Sequence, residues 1–285
     1  MGETPRFSAG NRLELRRGPV TLSCLDFGGS GPAALLLHGL AGHAGEWRAT
    51  ASWLTERRRV IALDVRGHGH STTDPDDVSP DAHAEDVACV VERLAGGGPV
   101  SLIGQSLGAN LAFLVASRRP DLVRELVVAE GYPNADPRRE ASASIERWLG
   151  SWPLPFASRA DAVAFFGGGP RGEAWADGLV RDPGGLDRRF RADLLVRTLA
   201  EALAVDRWAE WEGVAARALV VRGSEGQFTE EAMRTMVRRA RDARYAEIAG
   251  AGHEVHLERP RAWREVLERF LLTGDVESSN IQQSS

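Results

Sequence analysis

The segment VSLIGQSLGANLAFLVA, residues 100–116, places one serine between two glycines at a corner of the chain. The apolar run before Ser106 predicts a short buried strand, and the run after it predicts a buried helix. A strand that turns directly into a helix brings the two elements so close that neighbouring side chains must be very small, and Gly104 and Gly108 supply that room. We therefore interpret Ser106 as a nucleophile whose hydroxyl is lifted clear of the sheet.

This pattern is weak by itself, because 31 glycines among 285 residues make a chance match common. Nucleophilic catalysis by a serine needs a histidine that takes its proton and an acid that orients the histidine. Both partners should follow later in the chain, at the ends of other strands.

Further apolar runs predict the sheet to which this corner belongs. Two alternating segments, RLELRR and VTLSCLDFG, predict an antiparallel hairpin at the sheet edge. Buried strands are predicted in AALLLHG, VIALD, ELVVAE and ALVVRG, with helical stretches between them. This alternation predicts an α/β fold with a mostly parallel sheet that helices cover on both faces.

The alternation stops between residues 133 and 213, where five of the eight tryptophans lie. We interpret this segment as a helical cap or lid inserted into a core that residues 1–132 and 214–274 form. The polar residues 275–285 are expected to be a disordered tail.

Composition narrows the classes of partner. The net charge is −5, and all 35 basic residues are arginine, which argues against nucleic acid and excludes Schiff-base and phosphate-loop lysines. The two cysteines lack metal-ligand spacing and no dinucleotide loop occurs, so we expect no metal and no cofactor. Since no signal peptide or membrane span is predicted, a cytoplasmic protein without a membrane partner is expected, and a homo-oligomer is possible.

Four motifs, in this order, resemble those of the α/β-hydrolase superfamily: HGLAG, DVRGHGHS, GQSLG and GAGHEVHLERP. The resemblance covers about residues 12–272. It implies a nucleophile at Ser106, a general base at His253, and an oxyanion hole formed by the backbone N–H groups of Leu40 and Leu107. Donors so placed would stabilise the charge that develops on a carbonyl oxygen during acyl transfer.

Two histidines compete for the role of base. His253 follows a predicted strand in a loop, where its ring can reach the serine, whereas His256 begins a helix and is more typical of a packing residue. We expect His253 to be the base. The histidines and charged residues of the two earlier motifs are interpreted as structural: His38, Asp64, Arg66, His68 and His70. Surface or loop positions are expected for His43 and His83.

The acid has two candidates. Most superfamily members carry an aspartate three residues after the glycine that ends the strand ALVVRG, but here that position is Gly226. Glu225 stands one residue earlier. Some relatives instead place the acid after the preceding strand, where this chain has Glu130 in LVVAEGYP. A carboxylate at the tip of a buried strand is costly unless it is paired, so Glu130 is favoured, and Glu225 remains the alternative.

These roles predict a serine hydrolase that cleaves a small or medium apolar ester or lactone through an acyl-enzyme. The same triad serves amide, thioester and carbon–carbon hydrolysis and acyl transfer, and these remain alternatives. A non-catalytic ligand receptor is the alternative of another class. Trp47 and Gln105 are expected to contact the small-molecule substrate.

Overall fold

The computed structural model describes residues 10–136, 138 and 140–273 of the chain. The predicted disordered tail, residues 275–285, and the first nine residues of the predicted core lie outside the described residues. The described strands are β1 Asn11–Arg17, β2 Val20–Gly28, β3 Ala33–Leu37, β4 Arg59–Asp64, β5 Val100–Gln105, β6 Val123–Ala129, β7 Val180–Asp182, β8 Gly185–Asp187, β9 Arg217–Gly223 and β10 Ala243–Ile248.

Eight of these strands form one sheet in the order β1-β2-β4-β3-β5-β6-β9-β10. The first two strands pair antiparallel, as predicted, and β2 is also antiparallel to β4. All the remaining pairs in this sheet are parallel. The carboxyl ends of β3, β5, β6, β9 and β10 therefore meet at one edge, which is where catalytic groups collect in such sheets.

The described helices are α1 Arg48–Leu54, α2 Pro80–Leu94, α3 Leu107–Arg118, α4 Glu140–Gly150, α5 Arg159–Phe165, α6 Gly169–Asp177, α7 Ala192–Ala202, α8 Trp208–Gly213, α9 Glu230–Arg239, α10 Val255–Glu258 and α11 Pro260–Glu268. Short 3₁₀ turns span Ala44–Trp47 and Pro120–Leu122, and a π turn spans Arg269–Thr273. Helix α2 begins as the sequence predicts, because the Ser79 side chain accepts a hydrogen bond from the Ala82 N–H and Pro80 is the first helical residue.

Successive residues of each central strand point to opposite faces of the sheet, and each face has its own apolar core. On one face the strands pack against α2, α3 and α9, with Val87, Phe113 and Met236 among the buried side chains. On the other face they pack against α1 and α11, with Leu54 and Trp263 buried. The prediction of a mostly parallel sheet covered by helices on both faces is confirmed.

Helices α4–α8 lie between β6 and β9, in the segment that the sequence analysis interprets as a cap. Helices α4–α7 and their loops form a third apolar cluster, in which Leu149, Trp152 and Leu195 are fully or nearly buried. A two-stranded hairpin of β7 and β8 was not predicted. Helix α8, at the end of the segment, contributes Trp211 to the sheet core instead.

Among the residues that the structure describes, no helix combines the length and the apolar character that a bilayer crossing requires.

Candidate active site

The strand-to-helix corner has the strained geometry that its sequence predicts. Ser106 adopts φ 54° and ψ −117°, a conformation that costs a non-glycine residue free energy. A Cβ atom on Gly104 would lie 2.2 Å from the Gly108 carbonyl oxygen, and one on Gly108 would lie 2.3 Å from the Leu37 carbonyl oxygen. Both positions therefore require glycine, and the close packing of β5 on α3 depends on them.

The two residues predicted to supply the oxyanion donors line the same cavity as the serine. Leu107 is the first residue of α3, so its N–H has no acceptor within the helix, and the Ser106 side chain makes no capping hydrogen bond. Leu40 follows β3 at the same sheet edge. Both leucines line the cavity onto which Ser106 opens, so the oxyanion hole stays a prediction for the two backbone N–H groups at this cavity.

His253 lies in the loop after β10 and lines the same cavity as Ser106. Its backbone carbonyl accepts a hydrogen bond of 2.9 Å from the Gln105 Nε2 atom. Gln105 is itself buried, and its Oε1 atom occupies the space that a Cβ on Gly39 would need. Gln105 thus lines the cavity, as expected, and also anchors the histidine loop to the serine corner.

Glu130 follows β6 directly, and its side chain is fully buried. One carboxylate oxygen, Oε2, lies 3.4 Å from the His253 Nδ1 atom. The two oxygens also accept hydrogen bonds of 2.9 Å each from the backbone N–H groups of Gly223 and Gln227. These bonds compensate the burial of the carboxylate and aim it at the imidazole.

Glu225, the alternative acid, is not among the residues that line the cavity. The Glu225 side chain is exposed, and its backbone N–H donates to the Ala251 carbonyl. Gly226, the position at which the family resemblance led us to expect an aspartate, faces the Glu130 carboxylate: a Cβ there would lie 2.3 Å from Oε1. The glycine leaves the space that the longer Glu130 side chain occupies, so the two departures from the usual pattern compensate one another.

Replacing Gly226 by alanine is expected to lower kcat/KM about 100-fold, because the added methyl group displaces the buried Glu130 carboxylate from His253 by roughly 1 Å. Gly98→Ala is the matched control, since a Cβ there meets nothing within 4 Å. Steady-state kinetics of both variants check this, and equal activity of the two would contradict the placement of the carboxylate.

Trp47 lies away from the cavity, in contrast to the expectation of a substrate contact. Its side chain is fully buried and stacks on His256, with the ring centroids 4.1 Å apart. The His256 Nε2 atom lies 3.5 Å from Glu46 Oε1. Both aromatic rings are therefore packed in the core beneath the site, and His256 has the packing role expected of it.

The first two motifs hold loops around the site. The buried His38 ring lies 2.7 Å from the Gly39 carbonyl oxygen and accepts the Val65 N–H at 3.1 Å. Burial lowers the pKa of His38, which keeps the ring neutral for this role. The Asp64 carboxylate accepts the Ala44 N–H at 2.7 Å and pairs with Arg12 at 3.0 Å.

Arg66 forms a buried, two-point ion pair with Asp86 of α2, which fixes the loop after β4. His83 is also buried, which corrects the expected surface position. Its Nδ1 atom lies 3.0 Å from the carbonyl oxygen of Ser79, the N-cap residue of α2, and burial lowers the pKa of His83 to about 4.

The cavity has a volume of about 860 Å³. Apolar and aromatic side chains of α4–α7 and their loops form much of its wall: Ile145, Trp148, Phe165, Phe166, Trp175, Leu199 and Leu203. Of the five tryptophans in the predicted cap, Trp148 and Trp175 thus line the cavity. A site of this size encloses a small organic substrate.

Polar groups beside His253 connect its loop to α6. Glu258 accepts the Gly252 N–H at 2.7 Å and pairs with Arg171 at 3.3 Å. Glu254 lines the cavity, and burial raises the pKa of its carboxyl, as does its hydrogen bond with Glu258. Neither Glu254 nor Arg171 was selected from the sequence, although Glu254 directly follows the predicted base.

Asn110 also lines the cavity and was missed. It lies in α3 four residues after Ser106, near enough to the strand-to-helix corner to face the same cavity. That spacing is the signal in the sequence that points to it.

Comparison with known proteins places this chain among hydrolases. A family model for the alpha/beta hydrolase fold matches residues 32–260. The chain is 27% identical over 279 residues to the sn-1-specific diacylglycerol lipase ABHD11 of Mus musculus, covering 93% of this chain and 89% of the relative. It is 30% identical over 264 residues to Esterase Rv0045c of Mycobacterium tuberculosis, covering 88% and 87%.

Among solved structures, that of an E-2-(acetamidomethylene)succinate hydrolase superposes with a TM-score of 0.82 at 25% identity. The match covers 92% of this chain and 99% of that one.

Proposed function

The chain belongs to the α/β-hydrolase family, and we propose that it is a serine hydrolase that cleaves an ester or lactone through Ser106, His253 and Glu130. The observation that carries this proposal is the 3.4 Å contact between the buried Glu130 carboxylate and His253 Nδ1, with Ser106 on the same cavity. The chain is an α/β-hydrolase enzyme, and the relatives it matches are named as a lipase and an esterase.

In the proposed reaction, Ser106 Oγ attacks the carbonyl carbon of the substrate while His253 Nε2 takes the hydroxyl proton. Glu130 holds the Nδ1–H tautomer and stabilises the imidazolium that forms. The Leu40 and Leu107 amides donate hydrogen bonds to the oxyanion, and each donor lowers the free energy of the transition state by about 3–4 kcal/mol. The imidazolium then protonates the leaving alcohol, and a water molecule that His253 deprotonates releases the acid.

An uncharged ester or lactone is favoured over a charged one, because aromatic side chains of the predicted cap supply much of the cavity wall. The carboxylates that line it, Glu46, Glu130, Asp136 and Glu254, outnumber Arg171 among the described residues and disfavour an anionic ligand. The names of two relatives, a lipase and an esterase, support ester chemistry.

Labelling by a fluorophosphonate tests the activated serine without any knowledge of the substrate. We expect the wild-type protein to gain one probe mass, the Ser106→Ala variant to gain none, and the Glu130→Gln variant to react far more slowly. Intact-mass spectrometry against time measures all three. Glu225→Gln, whose side chain is exposed, is the matched control and should label at the wild-type rate.

An unlabelled wild-type protein would refute the proposal and favour a non-catalytic ligand receptor. Labelling that is lost in Glu225→Gln but kept in Glu130→Gln would move the acid to Glu225.

A further inference from the structure

Helix α6 of the predicted cap contacts two core loops that carry proposed catalytic groups. In its first turn, Arg171 pairs at 3.3 Å with Glu258, which follows the proposed base. In its last turn, the Ala174 carbonyl oxygen lies 2.9 Å from the His43 Nε2 atom. His43 ends the loop after β3, residues 38–43, which we call the donor loop because it includes the proposed oxyanion donor Leu40. The helix therefore bridges the donor loop and the loop of the proposed base.

The two ring nitrogens of His43 have different partners, and this fixes the position of the ring proton. The Nδ1 atom accepts a hydrogen bond of 3.1 Å from the Gly45 N–H, as the N-cap of the following 3₁₀ turn. Nδ1 therefore carries no proton, and Nε2 donates its proton to the Ala174 carbonyl. That carbonyl lies at the end of α6, where the Gly178 N–H bonds to Trp175 instead. His43 thus joins the donor loop to the carboxyl end of α6.

The glycine at residue 178 leaves the space that the His43 ring occupies. A Cβ on Gly178 would lie 2.6 Å from the ring Cδ2 atom and 2.9 Å from Nε2. Gly178 has a φ of −76°, which any residue adopts, so the backbone conformation does not require glycine here. The ring is therefore packed closely on the helix end as well as hydrogen-bonded to it.

The donor loop carries backbone strain next to the proposed donor. Ala41 has a φ of 63°, in the left-handed region that costs a residue with a side chain free energy. Such a conformation persists only where the surroundings hold it. Within the loop, the Gly42 N–H donates to the Gly39 carbonyl at 3.1 Å. The His43 bond to α6 adds a hold from the cap side, two residues after the strained alanine.

We propose that His43 is a positioning residue, which holds the Leu40 amide in place for the oxyanion through its hydrogen bond to α6. The inference rests on the proposed function, in which that amide stabilises the charge on the attacked carbonyl. Arg171 and Trp175 of α6 line the cavity, so the same helix contacts the substrate space and fixes the donor loop. Because the oxyanion exists only after the attack, loss of the bond should impair the chemical step more than substrate binding.

Asparagine and glutamine each preserve one of the two hydrogen bonds of His43. Asparagine keeps an N-cap acceptor for the Gly45 N–H but is too short to reach Ala174, whereas glutamine reaches Ala174 and loses the cap. We expect His43→Asn to lower kcat for p-nitrophenyl hexanoate about 10- to 100-fold with KM changed less than about 3-fold, and His43→Gln to stay within about 3-fold of the wild-type kcat.

Melting temperatures distinguish positioning from a general structural role. Each variant loses one hydrogen bond, so both should lose stability, while kcat falls only in His43→Asn. Values of kcat that are equal in the two variants, or that follow their melting temperatures, would overturn the inference.

Gly178→Ala tests the same contact from the cap side. The added methyl group displaces the His43 ring, so kcat should fall about 10-fold. In His43→Asn/Gly178→Ala the ring is already absent, and the second substitution should add little to the loss. Gly150→Ala, at the end of α4, is the matched control, because a Cβ there meets nothing within 4 Å. Additive losses, or a Gly178→Ala variant as active as this control, would contradict the assignment.

Hydrogen exchange of residues 38–45 separates this inference from the proposed hydrolysis. The backbone amides of this segment should exchange faster in His43→Asn than in the wild type or in His43→Gln. Faster exchange in His43→Asn, with a wild-type protein that no fluorophosphonate labels, would uphold the hold of α6 on the donor loop and refute the hydrolase. Labelling and turnover of the wild type, with exchange and kcat unchanged in His43→Asn, would do the reverse.

Discussion

Replacing Ser106 by alanine is expected to lower kcat for ester hydrolysis about 10⁶-fold while leaving the fold intact. The loss is large because the nucleophile and its base act as a unit, so only the oxyanion donors and the binding cavity continue to favour the reaction. The Ser106 side chain makes no capping hydrogen bond, so its removal should change the free energy of unfolding by less than about 0.5 kcal/mol. Kinetics with p-nitrophenyl hexanoate and thermal denaturation measure the two effects.

Ser101→Ala provides the reciprocal control on the same strand. The buried Ser101 hydroxyl donates to Glu125 Oε2 at 2.6 Å, at the opposite end of β5 from the cavity. Its loss should cost about 1–3 kcal/mol of stability and leave kcat unchanged. A Ser106→Ala variant that keeps more than about one per cent of the wild-type kcat would contradict the nucleophile assignment, since that residue would only shape the pocket.

The serine corner could be predicted from the sequence because it depends on local constraints. A strand of apolar residues, a helix of apolar residues and two glycines between them leave one geometry, in which a Cβ at Gly104 or Gly108 has no space. The parallel sheet followed from the same local patterns, because strands buried on both faces read as continuous apolar runs.

Positions that depend on long-range packing could not be predicted in this way. Trp47 stands near the loop after β3 in sequence, but its ring turns into the core, where it stacks on His256 and lies beside the tilted ring of Trp263. His83 was expected at a surface or loop position, but it is buried. The sequence does not show which other elements pack against its side of α2. The β7–β8 hairpin has only three residues in each strand, which is too short for an alternating pattern to be recognised.

The contact between Glu130 and His253 could not be predicted from local patterns either. Sequence shows that Glu130 ends a buried strand, but it cannot show that the carboxylate fills the space above Gly226. That space exists because β6 and β9 are neighbouring strands. The sequence does not show which strands pair in the sheet, so it does not show this space either. The absence of a side chain at Gly226 and the long side chain at Glu130 therefore depend on one another, because both positions face the same space.

Glu130→Ala is accordingly expected to lower kcat about 10⁴-fold, because the imidazole loses the carboxylate that holds its tautomer and stabilises its charged form. The variant should also be less stable, since the buried N–H of Gly223 loses its acceptor, which costs about 1–3 kcal/mol, and the part-buried N–H of Gln227 loses its acceptor as well. Activity must therefore be measured below the melting temperature of the variant. Glu225→Gln should retain wild-type kcat and stability.

Moving the proposed acid to residue 226, where the family resemblance leads us to expect it, gives a sharper test. Gly226→Asp alone should be nearly inactive, because its Cβ and the Glu130 carboxylate compete for one space. In Glu130→Ala/Gly226→Asp that competition is absent, and the new aspartate points to where the glutamate was. We expect the double variant to be at least about 10-fold more active than either single variant, a non-additivity that only a shared site produces. Independent, additive losses would show that residue 226 has no access to His253, and the account of Gly226 as the space for a displaced acid would fail.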